Sequence, residues 1–334
     1  MKAITYQTDP AVIPPGWAPS ADLHRTQTRG AGYEDAKHYV HFYCTERPLW
    51  MLSPGLTVTE SKNSHSTLDG WVKARFGATN IQPMSLEAGE IYDGLWRPGL
   101  TMDDDLMSAL RYTFAERRAA ELPLLLILER LNELLLYVEP DPSTLATHGH
   151  KQRELLLLAA TEVEAQWRWF LEHAGLTSLG RGFSTNDYVK LGPALFLSDF
   201  DVTIPRYPAV SAFSPFSGWD AKRPTKSLPW YDAYNETKHD RVGGLRRASL
   251  EACLLAVAAS LVLFTARFGF HALYNGRGNL SANFNETFSI DLARADPTTC
   301  YVPRIQIPPN QRTDFVTFNS LNLQLPWQRI TIKV

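Results

Sequence analysis

The sequence predicts an α+β protein: a central up-and-down helical bundle between β-rich N- and C-terminal segments. Three observations carry that prediction. The middle of the 334-residue chain repeats apolar residues every three or four positions, the period of an amphipathic helix. The C-terminal end and residues 38–60 instead show short, strand-like apolar runs separated by turn residues. Composition is ordinary for a globular chain, 44% apolar and 20% charged, which excludes disorder, a collagen-like repeat and a coiled-coil rod.

Residues 1–30, rich in Pro, Thr, Gln and Arg, read as an extended arm or loop. Between residues 38 and 60 the runs 39–43, 49–52 and 56–59 read as short strands, parted by Pro48 and by Pro54-Gly55. Residues 61–100, rich in Gly and aromatics, show no clear period. Thr101 with Asp104 reads as a helix start, followed by a helical stretch to about Val138 that Pro123 should break or kink. Pro140 and Pro142 end it. The 4-3-4-3 spacing of Leu156, Ala160, Val163, Trp167 and Phe170 predicts a second helix over 151–173, with Gly175 at its end. Glu162 and Glu164 fall about 100° to either side of Val163 on that helix. Ser184 with Asp187 opens a third helix to about Leu197. After a proline-rich loop at 199–230, a fourth helix is expected from about Trp230 to Phe268, with Gly243-Gly244 as a point of interruption. Strand-like runs follow at 304–307, 315–318, 321–325 and 330–334.

These elements divide the chain into a β-rich or irregular region (1–100), a helical bundle (101–270) and a β-rich C-terminal segment (271–334) that packs with the N-terminal region. The apolar faces of the last strands need cover, so they are expected to pair with strands from 38–60.

Net charge is −2, so the whole protein is not a basic nucleic-acid coat and any such site is a local patch. Cys44, Cys253 and Cys300 lie far apart and form neither a disulfide framework nor a zinc cluster, which points to a reducing, cytoplasmic setting. The first 25 residues hold four prolines and no apolar core of a signal peptide. The uncharged run Ala252 to Ala266 is shorter than the roughly 17–25 residues of a membrane span. It reads as a core helix, with no membrane partner.

The stretch from Leu228 to Arg241 crowds polar groups ahead of that apolar run. Asn235 and His239 are four apart and share a helix face, and Lys238 and Arg241 share a neighbouring one. An imidazole beside an amide and two cations at a helix start can hold a phosphate and move a proton. The alternative is a solvated first turn with a buried, hydrogen-bonded His239. From Lys222 to Arg247 seven Lys/Arg face three acids, a basic window of +4 in a chain whose remainder is −6.

A long-helix bundle with a polar, His-containing motif opening its last long helix resembles the HEPN superfamily over about residues 104–268. The family motif is Arg, a polar residue (often Asn), three arbitrary residues and His. Here Asn235-Glu236-Thr237-Lys238-His239 matches the polar residue and the His, while Tyr234 stands where the family carries its Arg. The resemblance implies a four-helix bundle and a metal-independent endoribonuclease, of the kind found in toxin–antitoxin and phage-defence systems. It implies RNA as substrate and no cofactor. It further implies a homodimer that pairs two motifs, and an antitoxin or operon-encoded protein partner. His239 would be the acid or base, Asn235 the polar partner, and Lys238 or Arg241 the replacement for the charge missing at Tyr234. A catalytically inactive HEPN-like module binding nucleic acid, nucleotide or protein is the alternative.

Other motifs carry less. His38-x-x-His41 and His148-x-His150 each offer two metal ligands where a site needs three or four, so no metal is expected. Gly276-Arg277-Gly278 lacks the third glycine of a dinucleotide fingerprint. The tryptophans at 167, 169, 219 and 230 read as packing.

Overall fold

A computed structural model describes residues 1–9, 11–12, 28–45, 51–61, 67–100, 103–178, 180, 182–240, 243–276, 278–307, 315–317 and 323–334. The chain is mixed α+β. Its strands are β1 (Ala3–Gln7), β2 (Arg29–Asp35), β3 (His38–Thr45), β4 (Met51–Glu60), β5 (Thr79–Pro83), β6 (Glu90–Tyr92), β7 (Asp201–Thr203), β8 (Ser289–Asp291), β9 (Phe315–Thr317) and β10 (Gln328–Ile330). Its helices are α1 (Leu68–Phe76), α2 (Asp103–Leu110), α3 (Phe114–Leu135), α4 (His150–His173), α5 (Thr185–Tyr188), α6 (Leu191–Ala194), α7 (Pro229–His239), α8 (Leu250–Phe268), α9 (His271–Tyr274) and α10 (Asn279–Thr287). They form two compact units: Met1–Asp93 with Arg97–Thr101 and Asp296–Ile330, and Gly94–Trp96 with Met102–Ala295 and Thr331–Val334.

The first unit is built on an antiparallel sheet in the order β5-β1-β2-β3-β4-β9. Strand β3 explains its two-sidedness. Alternate side chains of a strand point to opposite faces. Val40, Phe42 and Cys44 enter one core with Tyr33, Leu56, Val58, Val302 and Ile305. Tyr39 and Tyr43 enter another with Tyr6, Trp71, Val72 and Phe76, beneath α1. With both faces covered, β3 reads in sequence as a near-continuous apolar run. Gly30 is required here, because a Cβ on it would lie 2.5 Å from the Tyr6 ring and 2.7 Å from the buried His41. The Tyr6 hydroxyl bonds His41 Nδ1 at 2.5 Å across that gap.

Several expectations change in this unit. Residues 3–7, read as part of an arm, form β1, a strand inside the sheet. Pro54-Gly55 lies within β4 instead of ending a strand. The ladder shifts register between Phe42 and Cys44, which accommodates a proline that has no N–H to donate. Residues 61–100 supply α1, β5 and β6. Of the C-terminal runs, 315–317 pairs with β4, Ile305 and Gln324 make an isolated bridge, and 328–330 pairs in parallel with β6. Residues 331–334 are not a strand.

In the second unit α8 is buried on nearly every side, from Leu250 to Phe268. By length and composition it is apolar enough to cross a membrane, and 83% of its 18-residue window is buried inside the protein. It packs on α4. The Ser260 hydroxyl donates to the Ala159 carbonyl at 3.3 Å, and the Cys253 thiol to the Gln152 carbonyl at 3.0 Å. The predicted stripe Leu156, Ala160, Val163, Trp167 and Phe170 is wholly buried.

The expected helix from 101 to 138 is two helices. Arg111, with φ 56°, turns the chain between α2 and α3, and Thr113 with Glu116 forms the capping box that starts α3. The proposed cap at Thr101 lies outside the described residues. Pro123 does not end α3; the Ala119 carbonyl that it leaves without a donor belongs to an exposed residue and can be hydrated. The third helix is two four-residue turns, α5 and α6, though Ser184 and Asp187 cap the first as expected, with the Ser184 N–H donating to Asp187 at 2.9 Å. The expected fourth helix is α7 and α8, separated by an elbow.

Candidate functional site

The polar stretch singled out in the sequence lies on α7. Leu228, extended, precedes a proline at the first helical position, where the missing N–H costs nothing. Trp230, Tyr231, Tyr234 and Thr237 face inward, while Glu236, Lys238 and His239 face water. The helix ends at His239 because Asp240 adopts an extended backbone (φ −119°, ψ 108°) and its carboxylate accepts from the Gly243 N–H at 2.9 Å. Gly244 then returns against α7. A Cβ there would meet the Glu236 carbonyl oxygen at 2.8 Å and the Thr237 Cα at 2.9 Å. The Thr237 hydroxyl closes the elbow by donating to the Gly244 carbonyl at 3.0 Å. The motif therefore sits on an eleven-residue helix of its own, not at the start of the long apolar one.

The five expected site residues divide. Tyr234, at the family's Arg position, is 2% exposed, and its hydroxyl donates to Glu164 Oε2 at 3.3 Å. Tyr231 donates to the other oxygen, Glu164 Oε1, at 2.6 Å. Asn235 turns its amide back to the Tyr231 carbonyl at 2.9 Å. Lys238 reaches over the Tyr234 ring, 5.2 Å from its centroid, and donates to its hydroxyl at 3.1 Å. His239 is exposed, which overturns the alternative of a buried histidine. Arg241 lies outside the described residues.

Electrostatics follow this chain of contacts. Burial first, then the Glu164 carboxylate, push the Tyr231 phenol far above its ordinary range. The hydrogen bond to Tyr234 raises Lys238, so its ammonium stays charged. Beyond the elbow Arg247 pairs with Asp232 at 3.0 Å and with Glu236 at 2.8 Å, which neutralises it. The remaining described cations of the window, Lys222, Arg223, Lys226, Lys238 and Arg246, are exposed. The loop bearing the first three is tied down. The Trp219 indole donates to the Pro224 carbonyl at 2.9 Å, and the Asp220 N–H to the Ser227 hydroxyl at 2.9 Å.

Glu164 was not among the expected site residues. Its place on α4 beside Val163 was legible. Its partners, 67 and 70 positions further on, were not. Trp167 is the hub of an aromatic cluster on the same side, stacked on Trp219 at 4.9 Å and edge-on to Tyr231 at 5.2 Å. That cluster fixes the α4–α7 packing.

Among the described residues no three of His, Cys, Asp and Glu gather to hold a metal. His38 and His41 are three apart on β3 and so point to opposite faces of the sheet. His148 bridges to Ser249 while His150 begins α4. Chemically the α7 surface offers fixed positive charge and one exposed imidazole; behind it two tyrosines, Tyr231 and Tyr234, share one carboxylate, Glu164. No family model, no curated protein and no solved structure matches this chain.

Proposed function

We propose that the helical unit is a HEPN-like module that binds RNA through the exposed basic surface of α7 and its preceding loop, without cutting it. The observation that carries this reading is Tyr234. At the position of the family's Arg it is buried and hydrogen-bonded to Glu164, so that residue itself presents no cation to a cleaving phosphate. Lys238 stands above it, engaged with the Tyr234 hydroxyl and still exposed to solvent. Helices α3, α4, α7 and α8 would be the four members of the HEPN-like bundle, acting in the cytoplasm. Exposed Leu122, Leu126, Leu136 and Tyr137, on and just past α3, offer a face for the homodimer. An operon-encoded protein partner belongs to the same proposal.

A second reading, metal-independent cleavage, draws on one observation, the exposure of His239. A general acid or base contributes about 10²–10⁴ in rate. The two readings part in one experiment on labelled single-stranded RNA, with binding followed by fluorescence anisotropy and strand integrity by gel. Binding without cleavage, weakened when Lys222, Arg223 and Lys226 are all changed to Gln, supports the module. Cleavage that survives EDTA and is lost in His239→Ala supports the enzyme. Absence of both sinks the RNA assignment.

A further inference from the structure

Gly276 and Gly278, unexplained by the α7 surface, border a cleft of about 370 Å³ in the helical unit. The cleft opens between the first turns of α3 and residues of α9, the start of α10 and the described positions between them. Phe114, Arg117, Arg118, Glu121, His271 and Asn275 line it, with the backbone of the two glycines. Its size falls within the roughly 300–1,000 Å³ of small-ligand sites.

We propose that this cleft binds a mononucleotide-like ligand, a phosphate ester joined to a flat ring. Among the described lining residues, two guanidiniums stand against one carboxylate. Glu121 is shared between Arg118 at 2.9 Å and Arg117 at 3.4 Å, which orients both cations and leaves one positive charge in excess among the three. Arg118 places Nη1 3.7 Å from the position a Gly278 Cβ would take, so it stands beside the backbone that opens α10. A phosphate there meets a fork of guanidinium donors with geometry suited to its oxygens. Gly276 admits the tight turn that shapes this wall, since a Cβ would meet the Ala272 carbonyl oxygen at 2.5 Å. The opposite wall offers Phe114, 62% exposed, with the Arg117 guanidinium 5.6 Å from its centroid. An exposed ring next to a cation at the cleft mouth suits stacking of a flat heterocycle.

The walls are held in place. Asn132 on α3 donates to Asn283 on α10 at 3.0 Å and accepts from the Thr287 hydroxyl at 3.0 Å. Asn285 donates to the carbonyls of Leu273 and Tyr274 at 3.2 Å, fixing α10 to α9. These contacts join the elements that carry the cleft before any ligand arrives, which lowers the entropic cost of binding.

The test is titration calorimetry of the full chain with adenosine monophosphate, ribose 5-phosphate, inorganic phosphate and adenosine. Expected is binding of the monophosphate at submillimolar concentration, weaker binding of the ring-free phosphates, and none of adenosine. Arg118→Gln should weaken the monophosphate by about tenfold or more, the worth of one charge-assisted contact. Phe114→Ser should weaken the monophosphate and leave ribose 5-phosphate unchanged. Both residues are exposed, so both variants are expected to melt like wild type. No heat from any phosphate at millimolar concentration, or monophosphate binding indifferent to Arg118→Gln, would overturn the site. Equal affinity for the monophosphate and for inorganic phosphate would overturn the ring assignment.

Discussion

Helices α7 and α8 follow one another across a short elbow, yet they are opposite kinds of helix. On α8 the residues are buried almost all round, and its few polar atoms, such as the Ser260 hydroxyl, bond to backbone carbonyls. On α7 one face is buried through Trp230, Tyr231, Tyr234 and Thr237, and the other presents Glu236, Lys238 and His239 to water. A helix surrounded by core can only support. A helix with one wet face can also meet a ligand. The elbow at Gly243-Gly244 keeps the two apart, since one continuous helix would carry the α7 face onward in register with the apolar run. Substitutions should therefore separate cleanly, with stability lost on α8 and at the elbow and binding lost on the outer face of α7.

The largest expected effect lies on α8. Leu261 is wholly buried, and Leu261→Ala should cost about 2–5 kcal/mol of stability by reduced burial and cavity formation, read as a lower urea midpoint. Next comes the elbow. Gly244→Ala places a methyl against backbone atoms of α7 that cannot move aside locally, and about 1–3 kcal/mol of destabilisation is expected in the same measurement. A Gly244→Ala protein as stable as wild type would mean that the close approach is not needed.

The buried side of α7 gives a smaller effect with a pH signature. Tyr231→Phe removes a hydrogen bond to a carboxylate and should cost about 1–2 kcal/mol. Tyr231 is raised above its ordinary value of 10.0 in the folded state. Unfolding then releases a proton at high pH, so this contribution to stability is complete below about pH 10 and falls as pH rises further. Melting temperature followed through the alkaline range should drop less steeply in Tyr231→Phe than in wild type. Tyr33 and Tyr301, also raised by burial, keep part of the slope in both proteins.

Smallest in stability is the outer face. Lys238→Gln should leave the melting temperature nearly unchanged and weaken RNA binding at low salt. The salt dependence should become shallower, by about 0.7 in log–log slope for each phosphate of the single strand that is no longer neutralised.

The same contrast explains what the sequence made legible. Period and composition were enough for α4 and α8, because burial on a helix leaves a 3.6-residue signature whatever the partner is. They were enough for β3 too, where both faces are filled, but not for β4, which was read as two runs because Pro54-Gly55 lies inside it. Where a local signal was overruled, a tertiary cause is visible. Pro123 sits inside α3 because the carbonyl it orphans is on an exposed turn, and β1 is a strand because its neighbours in the sheet pair with it on both sides. At the candidate site the polar crowding of α7 was readable from the sequence, while the exposure of Lys238 and His239 came only with the structure. The Glu164 contacts that hold Tyr231 and Tyr234 down were not readable either, since they join residues far apart in sequence whose spacing carries no period.

The α7 surface is proposed to hold RNA and leave it intact, and one sample can decide both halves of that statement. Wild-type protein is incubated with end-labelled single-stranded RNA in EDTA at low salt, and anisotropy and then strand length are read. A saturable anisotropy rise that salt reverses is expected, with full-length RNA recovered. RNA cut to discrete products by wild type and left whole by His239→Ala would be the contrary result, and would return His239 to the role of a catalytic residue.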